Sequence, residues 1–79
     1  MNIVRINTAR VLRERFGIDE KTTQALFDEG FLYVSTCRNT LIKEEYEKHK
    51  RSKEKMRLKG RLAEKYSLST DSVRKIVEH

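Results

Sequence analysis

Four polar side chains near the end of the chain, Thr70, Asp71, Arg74 and Lys75, are spaced so that a helix gathers them on one side. Val73, Ile76 and Val77 fall on the other. The chemistry open to such a set is recognition rather than catalysis. Arginine presents a planar fork that fits the O6 and N7 edge of guanine, a contact worth about 1 to 3 kcal/mol of discrimination between bases. Lysine can reach a base or a phosphate. Asp71 has two readings: at a helix start its charge favours the macrodipole, and in a groove it repels phosphate unless it accepts from cytosine N4. Thr70, Asp71, Arg74 and Lys75 are therefore the candidate base readers, on a helix expected over residues 69–78.

From Lys48 to Lys65 there are nine basic residues and two acidic ones, a local balance of +7 in a chain whose total is +6. The surplus positive charge thus lies immediately upstream of the candidate readers, where sequence-independent phosphate contacts would hold them in register. Arg51, Lys53, Lys55, Arg57, Lys59, Arg61 and Lys65 are the candidate phosphate contacts, with Ser69 beside them. A solvated helix face is the plainer reading of any such run, and only its neighbourhood argues for more.

Other chemistries lack a constellation. Cys37 is the single cysteine, so no internal disulfide can form, and a nucleophilic role would need a base that the sequence does not identify. It reads as a small buried or half-buried residue. His49 and His79 have no partners at ligand spacing and read as exposed, so neither a metal nor another cofactor is expected. Without a glycine-rich phosphate loop or paired carboxylates, the chain does not read as an enzyme.

The elements that position the readers follow from apolar spacing. Leu62, Ala63 and Tyr66 share one face of a helix, and Val73 and Ile76 share one face of the next. Between them Ser67, Leu68 and Ser69 supply a sharp turn, an apolar plug and a helix cap. Tyr66 would plug this core with its hydroxyl reaching solvent. Upstream, Met1 to Ile6 reads as an arm, and Asn7 or Thr8 as the cap of a helix carrying Ala9, Leu12 and Phe16 inward and ended by Gly17, with Ile18 folding back. Asp19 caps a second helix through Gln24, Ala25 and Leu26 that stops at Gly30. Phe31 to Ser35 suits either a strand or, preferably, an apolar connector packed into the core. A further helix from Thr36 or Asn39 carries Leu41, Ile42 and Tyr46 to a boundary near Ser52. Tyr33 and Tyr46 read as core or dimer contacts.

With no proline and abundant Glu, Lys, Arg and Leu, the fold class is all-α, four to five short helices in one domain over residues 1–79. Residues 1–35 form an N-terminal hairpin and connector suited to dimerisation, and 36–79 a trihelical part. A chain this short buries only about 60% of the surface it exposes when unfolded, so its core is modest.

The segment RLAEKYSLSTDSVRKIV, Arg61 to Val77, resembles the bacterial and phage helix-turn-helix superfamily. Ala63 stands where the family places alanine at the helix crossing, Leu68 at the apolar position after the turn, and Val73 and Ile76 at the buried positions of the recognition helix. Ser67 stands where the family usually has glycine, so a non-glycine residue is asked to adopt positive φ at roughly 1 kcal/mol. The helix containing IKEEYEKHK, the basic segment and LAEKYSLS together look similar to small phage activators of the Mor type. That resemblance implies a homodimer in which an N-terminal dimerising part precedes the DNA-binding motif.

The expected function is that of a sequence-specific double-stranded DNA-binding transcriptional regulator, with the last helix in the major groove. The alternative is a protein-interaction module, an inhibitor or adaptor whose basic face binds an acidic protein surface. No stretch has signal-peptide character or the length of a membrane span, and a soluble, unprocessed, cytoplasmic protein is expected.

Overall fold

The structure, a computed structural model, describes residues 2–49 and 55–78, and for Lys55 and Met56 the backbone alone. The fold is all-α. Among the described residues there are five helices and no strand: α1 (Ile3–Phe16), α2 (Glu20–Asp28), α3 (Val34–His49), α4 (Lys55–Lys65) and α5 (Thr70–Val77). The expected boundary at Ser52 lies outside the described residues. None of these helices is long and apolar enough to cross a membrane. The chain divides into two compact units, residues 1–41 and 42–79, with the division inside α3.

In the first unit α1 packs on α2. The expected arm is helical: Asn2 caps α1, its Oδ1 accepting from the Val4 N–H at 2.8 Å, in place of Asn7 or Thr8. Burial explains the earlier start, because Val4 and Thr8, one turn apart, both lie in the core beside Ala9. Burial of Val4 and Thr8 outweighs the weak helix preference of this segment, in which Ile3 and Ile6 stay exposed. Phe16, expected inside, is 69% exposed. Each four-residue step drifts by about 40° around a helix of 3.6 residues per turn, and three steps carry Phe16 roughly 120° away from Val4.

Gly17, at φ +66°, ends α1, and the Gly17 and Ile18 N–H groups return to the Arg13 and Leu12 carbonyls. Asp19 then caps α2, accepting from the Thr22 N–H at 2.7 Å. In α2 the buried residues are Thr23 and Phe27, whereas Ala25 is exposed. The Thr23 hydroxyl donates to the Asp19 carbonyl, so its burial leaves no orphaned donor. Arg5 clasps the pair: its guanidinium lies 5.0 Å over the Phe27 ring and its Nη1 donates to Gln24 Oε1 and Asp28 Oδ1.

The segment Phe31 to Ser35 is not a core connector. Gly30, at φ +84°, lets the Phe31 and Leu32 N–H groups bond to the Leu26 carbonyl, folding the chain over the end of α2. Phe31 and Tyr33 then point outward, 72% and 65% exposed, while Leu32 and Val34 are half-buried. Val34 already opens α3, before Thr36 and Asn39. Leu41 and Ile42 are buried as their spacing predicts, and Tyr46 and Cys37 are half-buried.

Candidate nucleic-acid interface

In the second unit α4 runs unbroken through Gly60 and packs on α5. Leu62, Ala63, Tyr66 and Val73 are buried, Val73 completely, and Leu68, Ile76 and Val77 are half-buried. All six residues expected in the motif core are thus withdrawn from solvent. The Tyr66 hydroxyl, expected to reach solvent, is instead shielded along with its ring.

The turn is a Schellman ending. The Leu68 N–H donates to the Ala63 carbonyl at 2.8 Å and the Ser67 N–H to the Glu64 carbonyl at 3.3 Å, which satisfies two carbonyls of the last turn. This geometry needs a left-handed residue, and Ser67 supplies it at φ +56°. Ser69 follows in extended conformation as the N-cap of α5, its Oγ accepting from the Ser72 N–H at 3.1 Å and donating to Ser72 Oγ at 2.9 Å. The helix direction is therefore fixed at both sides of the turn by backbone groups that have found partners.

Once Val73 points inward, the period of the helix brings Thr70, Asp71, Arg74 and Lys75 together on the exposed face of α5. One contact within that face was missed in reading the chain. Arg74 Nη2 lies 3.5 Å from Asp71 Oδ1, an exposed pair at i, i+3. Opposite charges three apart are the signal that could have found it. Such a pair is worth about 0.3 to 0.5 kcal/mol, so it orients the guanidinium without locking it away from a ligand.

The candidate phosphate contacts separate into different environments. Arg57 and Arg61 are exposed on α4. Lys65 meets Glu45 at 2.6 Å and lies 5.4 Å from the Tyr66 ring centroid. Lys59 is turned inward, its side chain 13% exposed, bonded to Glu78 at 3.1 Å and 5.9 Å from the Tyr46 ring centroid. It ties α3, α4 and the end of α5 together. Nineteen residues separate Lys59 from Glu78, and no local pattern announces that pairing. Arg51 and Lys53 lie outside the described residues, as does His79, and only the backbone of Lys55 is described. His49, at the end of α3, is exposed.

The charge divides unequally between the units. Residues 1–41 hold six basic and five acidic residues, and residues 42–79 hold twelve and seven. Five of the six net positive charges therefore belong to the unit that carries the α4–turn–α5 corner.

No family model, curated protein or solved structure matches the chain.

Proposed function

We propose that this chain is a sequence-specific double-stranded DNA-binding regulator of bacterial or phage type, working in the cytoplasm as a homodimer. The observation that supports it most directly is the α4–turn–α5 corner. A buried Ala63, a left-handed Ser67, a capping Ser69 and a fully buried Val73 leave Thr70, Asp71, Arg74 and Lys75 facing outward from a strongly basic unit. In a major groove, Arg74 reads guanine, Lys75 takes a base or a phosphate, and Arg57, Arg61 and the basic residues preceding them contact the backbone. Eight residues of α5 extend about 12 Å, enough for only a few base pairs, and two-fold pairing doubles that reach.

Fluorescence anisotropy with a duplex selected from a random library tests the reading. Arg74→Ala lowers affinity for the selected duplex by about 1 to 3 kcal/mol and relaxes preference at one position. Lys55→Ala or Arg57→Ala weakens all duplexes alike, and affinity falls steeply with salt. Unchanged mobility of labelled duplexes at low salt would sink the proposal.

A second reading, a module that binds an acidic protein surface, draws on the internal pairing of Lys59 and Lys65 and on the exposed Asp71 carboxylate. Co-purification of a stoichiometric partner, with no sequence preference on DNA, distinguishes it.

A further inference from the structure

The face of α1 turned away from its core carries both apolar and cationic residues. With 3.6 residues per turn, Ile3, Ile6, Arg10 and Arg13 fall within about 80° of arc, on the side opposite Val4 and Thr8. Ile3 and Ile6 are 41% and 43% exposed, and both arginines are exposed. A groove of about 240 Å³ opens beside this face, lined by Ile6, Ala9, Arg10 and Arg13 of α1 and by Glu20 at the start of α2. It lies wholly within the first unit. Among the described residues, the side chains of Arg10, Arg13 and Glu20 make no hydrogen bond or ion pair. Arg5 meets Asp28 while a short turn joins Phe16 to Glu20, so α1 and α2 are antiparallel, with Arg13 and Glu20 at the same end of the hairpin.

The groove thus has an apolar floor, a basic bank on α1 and an acidic bank on α2. A polyanion suits the first bank and is repelled by the second, whereas a second copy of this chain suits both. A two-fold axis running along the groove sets the α1 bank of each copy against the α2 bank of the other. Arg13 then meets the partner's Glu20, Glu20 meets the partner's Arg13, and the two Ile6 side chains come together over Ala9. We infer that two copies of this chain pair through this groove, α1 of each against the start of α2 of the other. The inference rests on the homodimer of the proposed function and is independent of how α5 meets DNA.

Sedimentation velocity of the full chain tests it, with Arg13→Glu, Glu20→Arg and the variant carrying both. The wild type is a dimer that loosens as salt is raised. Each single reversal sets like charges opposite one another twice and weakens self-association by about tenfold or more. Mixed in equal amounts, the two single variants associate with one another, because every reversed charge then faces its opposite; the double variant regains self-association. Glu29→Arg, at the other end of α2, changes net charge as Glu20→Arg does and leaves the dimer intact. Far-ultraviolet circular dichroism establishes that each variant is folded. A dimer that both reversals leave unchanged overturns the interface alone, and a wild-type chain that stays monomeric overturns the homodimer with it. Recovery in the double variant without association in the mixture marks a pair within one chain and also overturns the inference.

Discussion

Ser67 is the residue at which the motif departs from its usual glycine, and the departure has a measurable cost. A side chain with Cβ held at φ +56° sacrifices roughly 1 kcal/mol that glycine would not. Ser67→Gly is expected to stabilise the chain by about 0.5 to 1 kcal/mol, seen as a rise of roughly 3 to 6 °C in the thermal midpoint. A lower midpoint would mean that the serine hydroxyl contributes more than the strain removes. Asp71 presents the complementary case. Ser69 already caps α5, so the carboxylate beside Arg74 is not needed for that purpose, and toward a polyanion it is repulsive. Asp71→Asn is expected to raise affinity for arbitrary duplexes by about two- to fivefold while lowering the ratio of selected to random binding. Anisotropy titrations on both duplexes check this.

At the scale of the helices, caps and latches decide more than propensity does. The Thr22 hydroxyl and then its N–H hold the Asp19 carboxyl below the usual carboxylate range, with Lys21 assisting. A depressed pKa in the folded state means stabilisation that is present above the unfolded value and fades as pH falls through the folded one. Wild type and Asp19→Ala should therefore differ in thermal midpoint at pH 7, and the difference should shrink as pH falls through the depressed carboxyl value, in melts followed by circular dichroism. Lys59 buries its stem while its ion pair with Glu78 stays exposed. Glu78→Ala is therefore expected to cost no more than about 0.2 to 1 kcal/mol, and Lys59→Met, which keeps the stem and removes the charge, should be nearly neutral. Chemical denaturation of both variants gives the comparison.

These features also explain what could be read from the chain. Gly17, Asp19, Gly30 and Ser69 were legible because left-handed glycines and side-chain caps act within a few residues of themselves. The motif core was legible because Leu62, Ala63, Tyr66, Val73 and Ile76 follow one helical period. Asn2 was misread because the start of α1 is set by its packing on α2, Phe16 because the helical period drifts away from the buried stripe, and Phe31 because a folded-back turn sends it outward. The nineteen residues between Lys59 and Glu78 hid the inward turn of Lys59.

Across the whole molecule, two small cores and an unequal charge distribution set the expectations. Phe27 anchors the first unit, and Phe27→Ala is expected to cost about 3 to 5 kcal/mol there. Residue-resolved hydrogen exchange should lose protection over α1 and α2 while α4 and α5 retain theirs; equal losses would show that the units unfold together. Gly60 is the remaining feature with a global consequence. It sits inside α4, and among the described residues nothing lies within 4 Å of where a Cβ would stand, so alanine is expected to add about 0.5 to 1 kcal/mol of helix stability. Under the proposed duplex reading, glycine at this position leaves α4 more conformational freedom before binding than alanine would. In calorimetry, Gly60→Ala should bind with a smaller entropic penalty and a smaller heat release, which would mark α4 as an element that trades enthalpy of association for freedom beforehand.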